Sequence, residues 1–310
     1  MSERKGRVAI LGIFVADLAF RAGRLPAIGE TIAGSAFKMG PGGKGSNQAV
    51  AAARAGANVT FISRLGQDAF GRVARDTWAA ENISTMVVES PEDPTGAAFI
   101  YVNEKTGENA IIVVPGAAAK ISPADVEAAR EAIAGAAVFV TQLEQPVAAA
   151  KRGLEIAREA GVTTVFNPAP AAPLDDEIYA LCDYVTPNET EASFLTNLPV
   201  GSLDEARRAG RYFLDRGAGA ALITLGGVGA LLMTPSRTVH VPAYEAGPVV
   251  ETAGAGDAFA GGFAAALARG VSPEEAVRFG CAVAGISVTR PGTAPSMPKF
   301  AEVEALLSRV

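Results

Sequence analysis

Glu251-Thr252-Ala253-Gly254-Ala255-Gly256-Asp257 runs directly into the apolar stretch Ala258 to Leu267. Small residues at 253–256 ahead of a long helical run bring bare backbone N–H groups to a helix N-terminus, where an anion is favoured. One carboxylate, Asp257, stands at that mouth. A carboxylate repels a phosphate, so holding one there makes sense if it takes a proton from an attacking hydroxyl. The pattern therefore points to phosphoryl transfer. On this segment alone a plainer reading stays open, in which the glycines tighten a turn and Asp257 caps the helix.

A second glycine cluster, Gly40-Pro41-Gly42-Gly43-Lys44-Gly45-Ser46-Asn47-Gln48, leads into the alanine-rich run Ala49 to Arg54. Gly40, Gly42 and Gly45 satisfy a dinucleotide-binding spacing, and Gly43-Lys44 looks like the end of a Walker A loop. Both matches fail on context. The Walker pattern needs glycine at 38 and Ser or Thr after the lysine, but the chain has Lys38 and Gly45. Dinucleotide glycines should follow the first strand, whereas Arg7 to Phe14 reads as that strand and the cluster comes much later.

The elements that must position these loops alternate. Asn58 to Ile62, Val138 to Thr141, Val162 to Phe166, Tyr184 to Thr186 and Ala220 to Thr224 read as short apolar strands. Helical stretches such as Ala69 to Ala80 and Val147 to Ala160 separate them. The pattern predicts a doubly wound α/β fold, a mainly parallel sheet with helices on both faces. Ser122-Pro123-Ala124-Asp125 and Ser272-Pro273-Glu274-Glu275 mark helix starts. Two regions break the alternation, 19–38 and 96–114. The second reads as a hairpin, Ala97 to Val102 and Ala110 to Val114 around a turn-rich centre. Together they are expected to form a small β-sheet lid inserted in a core of 1–18, 39–95 and 115–310.

Composition excludes several classes. The 310 residues carry 27 basic and 33 acidic side chains, net charge -6, with no basic run that suits nucleic acid. Cys182 and Cys281 are far apart and fit neither a zinc site nor a disulfide framework. The only histidine, His240, lies in the alternating stretch Thr238 to Pro242, and nothing nearby resembles a nucleophile elbow. Arg4, Lys5 and Arg7 before the apolar run Val8 to Ala16 mimic a signal peptide, but the run is short and reads as a buried strand. No stretch is long and apolar enough for a membrane span. A cytoplasmic protein is expected.

The motifs jointly resemble the ribokinase-like (PfkB) family of sugar and nucleoside kinases from Gly12 to Ser296. The resemblance implies that Asp257 is the catalytic base and that Gly254, Ala255 and Gly256 form the anion hole. It also implies that Asp17, Gly43, Lys44, Gly45, Asn47 and Glu144 contact the sugar. Thr186-Pro187-Asn188-Glu189-Thr190-Glu191 matches the family's Asn-x-x-Glu motif, with Asn188 near the nucleotide and Glu191 holding Mg²⁺ through water, as suits a hard cation. Thr224, Gly226 and Gly229 resemble the nucleotide loop, and the resemblance implies that Gly256 and Cys281 also bind the nucleotide. Further implications are a K⁺ site at Glu251, Ala253, Ser287, Arg290, Gly292 and Ser296, and a homodimer through the lid.

Two positions depart from the family. Val15 replaces an asparagine that serves the sugar, and Glu251 replaces an aspartate at the cation site. The expected activity is transfer of phosphate from ATP to a sugar primary hydroxyl, D-ribose first. Alternatives are another pentose or hexose, a nucleoside, a non-catalytic sugar-binding regulator, or an NAD-dependent dehydrogenase.

Overall fold

Nine strands form the main sheet of the computed structural model, which describes residues 4–309. From edge to edge they are Thr238–Val241, Ala230–Met233, Ala220–Thr224, Tyr184–Val185, Thr163–Phe166, Val138–Thr141, Arg7–Leu11, Asn58–Gly66 and Ser84–Ser90. The strands from Ala220–Thr224 onward pair in parallel, and a terminal antiparallel hairpin carries His240 on the edge. Parallel strands covered on both faces must be apolar throughout, and Val138–Thr141 is buried at every position.

Helices Lys44–Arg54, Ala69–Ala80, Ala255–Arg269, Pro273–Ser287 and Phe300–Leu307 cover one face. Pro123–Ala128, Arg130–Ala134, Val147–Glu159, Glu189–Thr196 and Leu203–Asp215 contribute to the other. Ser122 and Ser272 start their helices as expected: Ser122 Oγ accepts from Asp125 N at 3.2 Å while Asp125 accepts from Ser122 N at 2.9 Å. Both cysteines are buried free thiols. Among the described residues no helix is long and apolar enough to cross a membrane.

The chain leaves Arg7–Leu11 toward Asn58–Gly66 on one side, while Val138–Thr141 flanks it on the other. Strand order therefore switches direction between Arg7–Leu11 and Val138–Thr141, opening a crevice beyond their C-terminal ends. Gly12 and Gln142, the next residues, meet there.

A second sheet has the order Ala36–Gly42, Val15–Ala22, Thr95–Asn103, Asn109–Gly116. Its last two strands form the expected antiparallel hairpin. The first two strands differ from the expected bounds, since the sheet begins at Val15 rather than 19 and continues to Gly42 rather than 38. The apolar run Val8 to Ala16 hides a break. A Cβ on Gly12 would lie 2.5 Å from Gln142 Oε1 and 2.7 Å from Gly45 Cα, so the chain turns at a residue without a side chain. Asp17 therefore belongs to the second sheet, opposite Gly40.

Candidate active site

Two helix N-termini meet over the crevice. Helix Lys44–Arg54 starts after Gly43, whose φ of +89° and contact with Ile13 O, 2.6 Å from a built Cβ, admit only glycine. Helix Ala255–Arg269 starts after Gly254, also left-handed at φ +79°. The two helices cross at Gly261, where an added Cβ would lie 2.5 Å from Gln48 O and 2.6 Å from Ala51 Cβ.

That close crossing lays Asn47 and Gln48 over Asp257. Asn47 Nδ2 donates to Asp257 Oδ2 at 3.0 Å, and Gln48 Nε2 donates to Oδ1 at 3.0 Å. Asn47 Oδ1 is buried with no partner among the described residues, an acceptor available to a hydroxyl. The backbone N–H of Lys44 donates to Glu144 Oε2 at 2.7 Å, which ties the glycine turn to the end of strand Val138–Thr141. Asp17 lies against Gly42, where any Cβ would strike its carboxylate.

A cavity of about 220 Å³ opens in front of Asp257, lined also by Lys44, Asn188, Glu191, Thr224 and the 254–256 turn. The amides of Gly254 and Gly256 have no partner among the described residues, and nothing stands within 4 Å of a Cβ built on Gly256. The Ala255 amide instead donates to Thr252 O at 3.2 Å, so serving an anion requires exchanging that bond. Asn188 caps helix Glu189–Thr196 in a reciprocal pair with Glu191: Asn188 Oδ1 accepts from Glu191 N at 2.8 Å, and Glu191 Oε2 accepts from Asn188 N at 2.9 Å. Strand-like pairing of Asn188 with Thr224 brings both to one wall.

Gly226, Gly229 and Cys281 do not line this cavity. Gly229, at φ +108°, is required by the hairpin, since a Cβ would lie 2.1 Å from Val241 O. Cys281 is buried in the core, its thiol pushed by burial to about 12.

The expected cation residues gather beside the 254–256 turn. Glu251 Oε2 accepts from Gly292 N at 2.7 Å, while Ala253 is exposed next to it. Ser287 Oγ donates to Ala284 O at 2.8 Å and Ser296 Oγ to Thr293 O at 2.7 Å. The Arg290 guanidinium pairs with Glu302.

Four acids, Asp17, Glu144, Glu191 and Asp257, share the site with Lys44. Burial raises Glu144 to about 7, with Lys44 opposing and Asp257 adding to the rise. Burial, then Asp257 and Glu251, raise Asp17 to about 6. Burial also raises Glu191 and Asp257, the latter against Lys44, Asn47 and Gln48. At Lys44 burial opposes the charge, but Asp257, Glu144 and Glu191 outweigh it and the ammonium is held more firmly than usual. A carboxylate accepts a hydroxyl hydrogen bond more strongly than a carboxylic acid. As pH falls from 8 to 5.5, Glu144 and then Asp17 take up protons, and the sugar KM is expected to rise about fivefold. A sugar KM constant across that range contradicts their role as acceptors.

Sequence reasoning passed over three buried amides at the site. Gln48 closes the second glycine cluster, Gln142 follows strand Val138–Thr141, and Asn167 follows strand Thr163–Phe166. Open α/β sheets bind ligands beyond the carboxyl ends of their strands, and Gln142 and Asn167 lie at such ends as Glu144 does.

The model of the family described as "pfkB family carbohydrate kinase" matches residues 5–300. A ribokinase of Haemophilus influenzae is 39% identical, over 94% of this chain and 95% of that one. A deoxyribokinase of Salmonella typhimurium is 37% identical, over 97% and 98%. The solved structure of Arabidopsis thaliana ribokinase complexed with ribose and ATP superposes with a TM-score of 0.91 at 31% identity, covering 97% of this chain and 98% of that one.

Proposed function

The chain belongs to the pfkB family of carbohydrate kinases, and from that premise we propose that it transfers the γ-phosphoryl group of ATP to the primary hydroxyl of D-ribose. The observation that carries the reading is Asp257, buried at a helix N-terminus, facing a cavity that Lys44 also enters. Asp257 takes the hydroxyl proton. The hydroxyl oxygen bonds to the γ-phosphorus as the bridging P–O bond to the β-phosphate breaks, and ADP leaves. The Gly254 and Gly256 amides, and Ala255 once freed from Thr252, face the charge that develops on the phosphoryl oxygens. Asp17, Glu144 and Asn47, with the 43–45 backbone, hold the sugar in line.

Glu191 fits a water-mediated Mg²⁺, because Oε2 is engaged by Asn188 N while Oε1 has no partner among the described residues. When bound, Mg²⁺ neutralises phosphate charge. Thr224 and Asn188 would flank the nucleotide, with Gly226 and Gly229 shaping the adjoining turn. For K⁺, Glu251 brings a carboxylate to the 287–296 turns, whose backbone carbonyls suit a weakly hydrated cation; it would order the anion hole. The smaller sheet serves as a lid that excludes water. Its exposed Phe20 packs on Phe37 and Phe99 with ring centroids 4.9 and 5.7 Å apart, an apolar patch we assign to a second copy of the chain. Sedimentation as a monomer at assay concentration contradicts that assignment. Buried free thiols suit the reducing cytoplasm.

A second reading concerns the sugar. Val15 is buried at the base of the lid, against Gly96, where the family places a polar side chain. A hydroxyl facing it goes unpaired, which favours a less hydroxylated pentose such as 2-deoxyribose, and one relative is a deoxyribokinase. Coupled ADP release over pentoses, deoxypentoses, hexoses and nucleosides tests both readings. D-Ribose giving the highest kcat/KM supports the first, 2-deoxyribose the second, and sugar-independent ADP release contradicts both. Run in K⁺ and Na⁺ buffers, the same assay should show higher turnover in K⁺; equal rates contradict the cation site.

A further inference from the structure

The base sits at the end of a chain of buried amides that begins at a backbone carbonyl. Thr186 O, which can only accept, takes a hydrogen bond from Asn167 Nδ2 at 2.8 Å. That fixes the Asn167 amide with Oδ1 toward Gln48, whose Nε2 donates to it at 3.1 Å. The same Gln48 nitrogen must then point its second hydrogen at Asp257 Oδ1, 3.0 Å away. Gln48 Oε1 faces the opposite way and accepts from Gln142 Nε2 at 2.5 Å. Gln142 Oε1 is left buried, with no partner among the described residues, against Gly12 and Gly45. An unpaired buried acceptor is costly, and here it lies beyond Gln142, whose own amide donates to Gln48 and so keeps the Gln48 nitrogen turned toward Asn167 and Asp257.

We propose that Gln48 is a positioning residue for Asp257: anchored through Asn167 to Thr186 O, it holds Oδ1 with a donor of fixed polarity, so that Oδ2, where Asn47 Nδ2 donates at 3.0 Å, takes the substrate proton on its other lone pair. The proposal rests on Asp257 being the base. A permanent donor at Oδ1 favours the ionised form, which a group in so dry a place otherwise resists. Together with Asn47 at Oδ2, it also fixes the rotation of the carboxylate. The charged groups facing Asp257 are Lys44 at the start of helix Lys44–Arg54, Asp17 from the lid strand, Glu144 after Val138–Thr141 and Glu191 on helix Glu189–Thr196. All remain in place when Gln48 is changed.

The test is kcat from pH 5 to 9 at saturating sugar and ATP for the wild type, Gln48→Leu and Asp257→Asn. Gln48→Leu should lower kcat at pH 7 about tenfold or more and move the acid limb up by about one pH unit, with the sugar KM within about threefold of wild type. A profile scaled down with its limb unmoved overturns the proposal, because simple loosening of the helix lowers all rates alike. If Gln48→Leu does not fold, Asn167→Leu replaces it; releasing the amide polarity there should move the limb the same way, and an unmoved limb again overturns the proposal. Near-wild-type turnover in Asp257→Asn would instead remove the base assignment on which the proposal rests. An inactive Asp257→Asn beside an unshifted Gln48→Leu removes the Gln48 proposal alone.

Discussion

Asp257→Asn should cut turnover by at least ~10²-fold, the lower end for loss of a general base. The substitution keeps size and shape, and the site is buried, so the change acts on chemistry more than on packing. An amide cannot take the proton of the attacking hydroxyl. It also turns an N–H₂ toward either Asn47 or Gln48, both of which donate to the carboxylate in the wild type. ATP affinity should hold within a few fold, because the anion-hole amides and Glu191 are unchanged. Steady-state turnover with calorimetric binding of ATP separates the two effects. Wild-type turnover in the purified variant would contradict the assignment.

Gly261→Ala should damage the site from a distance, through the crossing of helices Lys44–Arg54 and Ala255–Arg269. The new methyl would meet Gln48 O at 2.5 Å, Ala51 Cβ at 2.6 Å and Ala52 N at 2.9 Å, contacts with backbone and a rigid neighbour that cannot rotate away. Overpacking of this kind costs about 1–3 kcal/mol. Relief comes by separating the helices, which pulls Asn47 and Gln48 from Asp257, and a shift of roughly 1 Å at a reacting group costs about 10²-fold in rate. Urea denaturation and kcat should therefore fall together. Unchanged stability with full activity would show that the helices part freely.

The two glycine clusters, the capping boxes and the alternating strands were legible because each depends on local chemistry. The left-handed turns at Gly43 and Gly254 ask for glycine for a reason that a short window contains. The break at Gly12 was not legible: Val8 to Ala16 is apolar throughout, and only the contact with Gly45, far along the chain, reveals that one strand ends and a lid strand begins. Strand Ser84–Ser90 went unassigned because an edge position tolerates its polar residues, and Ala230–Met233 because the glycine turn before it resembled a loop. Gln48, Gln142 and Asn167 escaped for a related reason. An amide is ordinary on a surface, and its meaning here comes from neighbours brought together by three different strand ends and a helix. Cys281, a position carried over by resemblance, lies in the core outside the cavity.

Phosphorus NMR of the product formed from D-ribose and ATP tests the central claim most directly. The account predicts one phosphomonoester, on the primary carbon of the sugar, in equal amount to ADP. Inorganic phosphate in its place, or phosphate on the anomeric carbon, would contradict a base that deprotonates the primary hydroxyl in line with the anion hole.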